Sequence, residues 1–312
     1  MPQLDPEMSG YVERCLRFFD AEADSTDLDL QRRMYRDLCR AFARPRPEGL
    51  EVRDSSVPGV DGEVPLRVYR PAGLRAPPPV LFLHGGGWIL GDLESHDDVA
   101  AEIAARCRAG VVAVAYRLAP ENPFPIPFDD CYAALMAVAE DPARFGLGAH
   151  PIVVAGDSAG GTLAAALALK ARDRGGPALA GQALVYPGLG GDAALPSYRE
   201  HGEAPLLTAA DVEAYWRHYL GGRAPEPPEY ARPLAAPDLS GLPPAYLQAA
   251  EIDPLRDDAA AYATRLNDAG VAAECVVEPG LVHGFLRARG SSQAAAAAFD
   301  RFCGAIQGFL AA

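Results

Sequence analysis

The chain has almost no lysine. Lys170 is its only lysine in 312 residues, so nearly all of its positive charge is carried by arginine. The formal net charge is −14, and no basic cluster interrupts this acidic balance. Nucleic acids and anionic membrane surfaces are bound through clustered Lys and Arg side chains. The composition therefore argues against a nucleic-acid partner and against stable association with a membrane.

Long apolar runs and paired cysteines are also missing. No stretch reaches the roughly 18 consecutive apolar residues of a membrane helix, and the first 15 residues carry early acidic side chains and no apolar signal-peptide core. The six cysteines are dispersed without a C-x-x-C pair. In a chain without an export signal, that spacing favours free thiols over disulfides or zinc. We therefore expect a cytoplasmic protein.

Short apolar or β-branched segments alternate with helical ones from about residue 60 onward. The predicted strands are residues 64–69, 80–83, 111–116, 152–155, 182–186, 245–249 and 274–278, and the predicted helices include residues 97–108, 257–268 and an alanine-rich segment at 293–299. This alternation is typical of a mostly parallel sheet covered by helices on both faces, the α/β class.

Two segments do not fit the alternation and are candidates for a cap over the site. The first covers residues 1 to about 45, with two helical patterns broken near Ser25. The second follows residue 187 and contains a helix for which Thr208 is the N-cap and Gly221 the end. That helix carries an apolar stripe that includes Tyr215 and Trp216, which either packs in the core or lines a substrate pocket.

The residues at 156–160, Gly-Asp-Ser-Ala-Gly, follow an apolar strand and precede an alanine-rich helix. A G-x-S-x-G turn in this context presents the hydroxyl of Ser158 as a nucleophile. The pattern alone is weak, because chance gives roughly 0.1 such match in a chain of this composition. It predicts a serine hydrolase only if a second signal supports it.

The second signal is His84-Gly-Gly-Gly, which follows the apolar strand at 80–83. Glycines here let backbone N–H groups approach the carbonyl oxygen of a substrate as it becomes negative. We assign the oxyanion hole to Gly85, Gly86 and the N–H of Ala159, the residue after the nucleophile. Trp88, next to the glycines, either walls the substrate pocket or packs in the core.

A nucleophilic serine needs a histidine base and an acid that orients it, in the order Ser, Asp or Glu, His for this turn. Of the six histidines, only His283 follows both the serine and the presumed cap, in a loop after the last strand. The candidate acids are Glu251, Asp253, Asp257 and Asp258, which follow the strand at 245–249. We choose Asp253, which comes just past the carboxyl end of that strand, where sites in open α/β sheets gather. Asp253 could instead cap the helix that begins at Pro254.

These residues resemble the bacterial hormone-sensitive-lipase-like carboxylesterases of the α/β-hydrolase superfamily. The similarity rests on residues 84–88, 116–121, 156–161, 253–257 and 283–285. It implies the α/β-hydrolase fold with a helical cap at 1–48, and a catalytic domain at 49–312 with a cap insertion at about 188–225. It also implies the triad Ser158, Asp253 and His283. Trp88 and Asn122 depart from the residues common in the family, which predicts a change of pocket shape only.

The resemblance implies a small-molecule ester with a short to medium acyl chain as substrate, no cofactor or metal, and a possible homodimer. Two alternatives remain open. An amidase, N-acyl hydrolase or lactonase would use the same triad, and a non-catalytic binding protein on this fold would hold a small molecule in the pocket. The presence of His283 favours an enzyme, since binding proteins similar to this family have the base replaced.

Overall fold

The computed structural model describes residues 3–19 and 27–312. One eight-stranded sheet organises the chain, with the strand order β1-β2-β4-β3-β5-β6-β7-β8. The strands are β1 (Leu50–Gly59), β2 (Gly62–Pro71), β3 (Pro79–Leu83), β4 (Gly110–Val114), β5 (Ile152–Asp157), β6 (Leu179–Val185), β7 (Ala245–Ile252) and β8 (Ala273–Val282). The β1–β2 and β2–β4 pairs are antiparallel, and all other pairs are parallel.

Helices cover both faces of the sheet. They are α1 (Pro6–Leu16), α2 (Leu28–Phe42), α3 (Asp97–Cys107), α4 (Ile126–Glu140), α5 (Ala159–Asp173), α6 (Pro196–Glu200), α7 (Ala209–Leu220), α8 (Pro228–Ala231), α9 (Arg256–Asp268) and α10 (Gln293–Ala311). The central strands β3, β4 and β5 are buried along their whole length. Their continuous apolar sequences reflect this burial on two faces.

The predicted α/β class is confirmed, with one strand missed. Each of the seven predicted strands is present, but β1 was not predicted because half of its residues are polar and all but one are at least partly exposed. It forms a hairpin with β2 at the edge of the sheet. The opposite edge is β8, where Val277 is exposed. The homodimer that the resemblance implies stays a prediction.

The two segments predicted as a cap are helical. Residues 6–42 contain α1 and α2, and the predicted break at Ser25 lies outside the described residues. In the second segment, α7 begins with a capping box in which Thr208 and Asp211 each accept from the backbone N–H of the other, and it ends at Gly221 in the left-handed conformation. Within residues 3–19 and 27–312, no helix is long and apolar enough to cross a membrane.

Asp258, at the start of α9, anchors the chain that follows β6. One carboxylate oxygen accepts the N–H groups of Leu189 and Gly191 at 2.8 and 3.0 Å, and the other accepts the hydroxyl of Tyr198 at 3.2 Å. Burial raises the pKa of Asp258 to about 6 despite these three donors. At neutral pH, the ionised side chain of Asp258 therefore lowers the free energy of unfolding.

We expect Asp258→Asn to be more stable than wild type at pH 7.5. A carboxyl whose pKa is raised on folding stabilises the fold fully below its unfolded pKa of about 4, and this contribution is lost as pH rises through about 6. The asparagine side chain keeps an acceptor oxygen and cannot ionise. The free energy of unfolding of Asp258→Asn should therefore exceed that of wild type by a margin that grows between about pH 4 and pH 6, to at most about 3 kcal/mol. Urea unfolding from pH 4 to 7.5 measures this, and a difference independent of pH would contradict it.

Candidate active site

Ser158 lies at the apex of the turn between β5 and α5. Its backbone has φ 52° and ψ −122°, a conformation that costs a non-glycine residue free energy. The flanking glycines are required by close packing. A Cβ on Gly156 would lie 2.5 Å from the carbonyl carbon of Gly160, and one on Gly160 would lie 2.0 Å from the carbonyl oxygen of Leu83. The turn therefore lifts the serine clear of the sheet.

A continuous hydrogen-bonded chain joins Ser158, His283 and Asp253. The Oγ of Ser158 lies 2.9 Å from Nε2 of His283, and Nδ1 of His283 lies 2.7 Å from Oδ2 of Asp253. The three residues follow β5, β8 and β7, whose carboxyl ends meet at one edge of the sheet. Asp253 is 0% exposed, which isolates its bond to the imidazole from water. The geometry is that of a base held by an acid against a nucleophile.

The acids that competed with Asp253 have other partners. Glu251 accepts the N–H of Gly280, and Asp257 accepts that of Ser197. The alternative role for Asp253, as helix cap, is only partly right. Its Oδ1 accepts the N–H of Leu255 at 2.9 Å, but α9 begins two residues after Pro254, at Arg256.

The N–H of Gly85 is not free for an oxyanion. It donates to Oδ1 of Asp157 at 3.0 Å, so the expectation for Gly85 is wrong. The N–H groups of Gly86, Gly87 and Ala159 have no acceptor among residues 3–19 and 27–312, and all three residues line cavities that reach Ser158. Asp157 thereby orders the glycine loop, and Gly87 replaces Gly85 as a candidate donor.

Asp157 is held as an anion by a buried cluster. Burial alone would raise its pKa, but His96, 3.3 Å away, together with Arg287 and the N–H of Gly85, lowers it to about 2. Arg287 in turn donates to the hydroxyl of Tyr35 on α2, and its Nη2 lies 3.1 Å from Nε2 of His96. The oxyanion loop and the first cap segment are thus connected through one carboxylate.

His84 stabilises the loop in another way. Its ring stacks on Tyr116 with centroids 4.2 Å apart, and its Nδ1 lies 2.9 Å from the carbonyl oxygen of Gly85. Burial lowers the pKa of His84 to about 4, so the ring is neutral at pH 7. Arg117 forms a two-point ion pair with Asp130. Neither residue has a hydrogen bond to the triad among the described residues, so both have structural roles near the site.

Two cavities of very different size meet at Ser158. The larger has a volume of about 460 Å³, and α1 and α2 contribute Tyr11, Met34 and other residues to its wall. The smaller has a volume of about 20 Å³. The predicted pocket residues Trp88, Tyr215 and Trp216 all line the smaller one, and Tyr215 also lines the larger.

Sequence reasoning missed several residues of the larger cavity. Tyr186 follows β6, and its ring centroid lies 4.6 Å from that of His283. Its place at the carboxyl end of a central strand is a signal that could have found it. Arg287 is also part of the wall. Its only sequence signal is its position four residues after His283.

Among the described residues, no group of three or more His, Cys, Asp or Glu side chains could hold a metal ion. The expectation that the chemistry needs no metal or cofactor stays a prediction. The side chains that converge on the two cavities supply a nucleophile, a base and backbone donors. They define a serine hydrolase of the α/β class.

Comparison with known proteins agrees with this class. Residues 80–287 match the family model described as alpha/beta hydrolase fold. The chain is 44% identical over 264 residues to carboxylesterase NlhH of Mycobacterium tuberculosis, covering 83% of this chain and 82% of that protein. It is 41% identical over 312 residues to esterase LipI of the same organism, covering 96% and 97%. The solved structure of a bacterial heroin esterase superposes with a TM-score of 0.89 at 38% identity, covering 99% and 98%.

The chain belongs to the hormone-sensitive-lipase-like carboxylesterases of the α/β-hydrolase superfamily. The resemblance on which the sequence prediction rested is therefore confirmed.

The candidate oxyanion donors can be tested with one glycine pair. Gly86 has φ +125°, and a Cβ there would lie 2.4 Å from the carbonyl oxygen of Leu90, so Gly86→Ala must displace the loop. We expect kcat to fall on the order of 10² to 10³, the cost of one lost oxyanion donor. Gly62 is the matched control, since its φ is +119° and a Cβ there meets nothing within 4 Å. Steady-state kinetics that leave Gly86→Ala as active as Gly62→Ala would contradict the assignment.

Proposed function

We propose that this protein hydrolyses carboxylic esters through an acyl-enzyme formed on Ser158. The observation that carries the proposal is the hydrogen-bonded chain Ser158, His283 and Asp253, with separations of 2.9 and 2.7 Å. A serine hydroxyl becomes an effective nucleophile only when an oriented base takes its proton. Ser158 lines both cavities, which leave room for an ester to reach it.

The reaction runs in two halves. In the first, Nε2 of His283 accepts the Ser158 proton as Oγ attacks the ester carbonyl, and Asp253 stabilises the resulting imidazolium. The N–H groups of Gly86, Gly87 and Ala159 hold the oxyanion, and His283 then returns the proton to the departing alcohol. In the second half, water takes the place of the alcohol, and His283 again accepts and returns a proton. The carboxylic acid leaves and free Ser158 is restored.

The ester bond is favoured over other acyl bonds by the names of the relatives. Carboxylesterase NlhH, esterase LipI, ethyl acetate hydrolase of Pseudomonas putida and arylesterase of Saccharolobus solfataricus are all named for ester substrates. They are 33 to 44% identical to this chain. The triad geometry would serve an amide or lactone equally well. The choice of an ester bond therefore rests on sequence similarity to relatives named as esterases.

Matched substrates test the choice of bond. We expect kcat/KM for a p-nitrophenyl ester to exceed that for the p-nitroanilide with the same acyl group, and to exceed that for a γ- or δ-lactone. An anilide or lactone preferred by kcat/KM would overturn the ester assignment and leave the triad in place.

Covalent labelling separates an enzyme from a binding protein on this fold. An activated organophosphate should label the protein once, at Ser158, because its phosphorus reacts only with an activated hydroxyl. Peptide mapping identifies the site. Labelling at another serine, or none, would contradict the proposal, since a binding protein needs no activated nucleophile.

We also propose a cytoplasmic location and a cap built from residues 1–48 and about 188–225. All six cysteines are free thiols and five of them are buried, which suits a reducing compartment. Both cap segments contribute wall residues to the larger cavity, among them Tyr11 from the first and Leu207 from the second. Cell fractionation and limited proteolysis test these two points.

A further inference from the structure

The two cavities at Ser158 differ more than twentyfold in volume, at about 460 and about 20 Å³. An ester has two halves, joined at the carbon that Ser158 attacks. The two cavities are therefore places for the two halves, and the question is which half each one receives.

The position of His283 decides the question. The imidazole must return its proton to the oxygen of the leaving alcohol, so that oxygen lies on the side of His283. His283 lines the larger cavity, and it is not among the described residues around the smaller one. The alcohol half therefore points into the larger cavity. The acyl half, on the other side of the reacting carbon, points into the smaller one.

The volume of the smaller cavity limits the acyl group. The centre of a water-sized sphere can move through only about 20 Å³ of the smaller cavity, against about 460 Å³ of the larger one. The smaller cavity therefore accepts a short acyl group, and the methyl of an acetyl group fits it with the least displacement of the wall. Each further methylene must push against the wall.

The wall of the smaller cavity is apolar and braced from behind. Leu207, Val212 and Leu255 are buried in one cluster, and Tyr215 and Trp216 pack against it. Trp88 stacks on Tyr219 with ring centroids 4.3 Å apart and contacts Trp216 at 4.5 Å. Displacing a side chain that packs against other rings costs free energy, because protein interiors are close-packed.

The larger cavity has the opposite character. Its volume falls in the range of about 300 to 1,000 Å³ that is usual for small-molecule sites. Its mouth carries the exposed side chains of Leu16 and Phe19, so a bulky apolar group meets apolar surface there. Nothing about it selects a small alcohol.

We propose that the preferred substrates are acetate esters of bulky, apolar alcohols or phenols, with the acetyl group in the small cavity beside Trp216 and the alcohol under the cap. This inference rests on the proposed ester hydrolysis and narrows its substrate class. It replaces the expected range of short to medium acyl chains by a limit at about two carbons.

Two substrate series test the assignment with the wild-type protein. Along p-nitrophenyl acetate, propionate, butyrate and hexanoate, kcat/KM should fall by about 10-fold or more per methylene at the first step, as in other tight apolar pockets. Along ethyl, benzyl and 2-naphthyl acetate, kcat/KM should hold or rise. The assignment would be overturned if kcat/KM for the butyrate equalled that for the acetate. It would also be overturned if kcat/KM fell with the size of the alcohol among the acetates.

A pair of variants localises the limit. Trp216→Ala removes one wall of the small cavity, so the ratio of butyrate to acetate kcat/KM should rise by about 10-fold or more. Met34→Ala enlarges only the large cavity and should leave that ratio unchanged. Val212→Ala is a smaller truncation of the same wall as Trp216 and serves if the tryptophan variant does not fold. A ratio that rises in Met34→Ala instead would place the acyl group in the large cavity.

Covalent labelling distinguishes failure of this inference from failure of the proposed function. In p-nitrophenyl alkylphosphonates, the alkyl group takes the acyl position when Ser158 displaces nitrophenolate. The methylphosphonate should label Ser158 at least about 10-fold faster than the butylphosphonate. Equal rates of labelling would overturn the size limit and keep the nucleophile. No labelling of Ser158 by either compound would overturn the proposed function, and the inference with it.

Discussion

Replacing Ser158 by alanine is expected to lower kcat for ester hydrolysis by about 10⁶-fold, as for nucleophiles of comparable triads. The variant loses the Oγ that lies 2.9 Å from Nε2 of His283, and with it the acyl-enzyme. The cavities and the oxyanion donors stay in place, so substrate binding should persist. Active-site titration and kinetics at high enzyme concentration measure the residual rate.

The matched control for this change is Ser240→Ala. Ser240 is exposed and lies in the loop before β7, at the end of the sheet opposite the triad. It should retain wild-type kcat and be labelled by an organophosphate, whereas Ser158→Ala should not be labelled. Residual activity of Ser158→Ala within about tenfold of wild type would mean that another group is the nucleophile.

Asp253→Asn is expected to lower kcat by about 10⁴-fold, the effect of the equivalent change in a serine protease triad. Oδ2 of Asp253 accepts from Nδ1 of His283 at 2.7 Å, which places the imidazole proton there and leaves Nε2 free to accept from Ser158. An amide NH₂ at that position would favour the opposite tautomer. The neutral amide would also lack the negative charge with which Asp253 stabilises the imidazolium.

Asp257→Asn is the matched control, since it makes the same chemical change one turn further along the chain. Asp257 pairs with Arg256 and accepts the N–H of Ser197, and it does not touch His283. We expect its kcat to stay close to wild type. A large loss in Asp257→Asn with a small one in Asp253→Asn would reverse the assignment of the acid.

The fold was predictable wherever strands are buried on both faces. The strands β3, β4 and β5 are continuous apolar runs, and their sequence pattern is that of a parallel sheet. β1 could not be found in the same way. It runs along the sheet edge, most of its residues are at least partly exposed, and its pairing with β2 is the main evidence that it is a strand.

Chain order and strand ends were enough to predict the three residues that the structure brings together as Ser158, His283 and Asp253. The oxyanion donors were not predictable to the same degree. Three adjacent glycines have identical side chains, and what separates Gly85 from Gly87 is an acceptor on Asp157, 72 residues away in sequence. Contacts of that kind depend on the folded backbone.

The substrate cavities were even less accessible to sequence reasoning. Trp88, Tyr215 and Trp216 were singled out as aromatic residues near the site, and they lie around one cavity of about 20 Å³. Whether three rings leave room for a butyl group or only for a methyl group depends on how they pack against Leu255 and Val212. A sequence gives the sizes of these side chains but not the space between them.

The positive φ of Ser158 is a backbone conformation that lowers the stability of the turn that carries the nucleophile. Its φ of 52° is unfavourable for any residue with a Cβ and costs glycine almost nothing. Ser158→Gly should therefore unfold at a higher free energy than Ser158→Ala, by on the order of 1 kcal/mol. The backbone of this turn therefore favours glycine, which has no side chain, at the one position where the chemistry requires a hydroxyl. Ser158 supplies the nucleophile at a cost in backbone free energy.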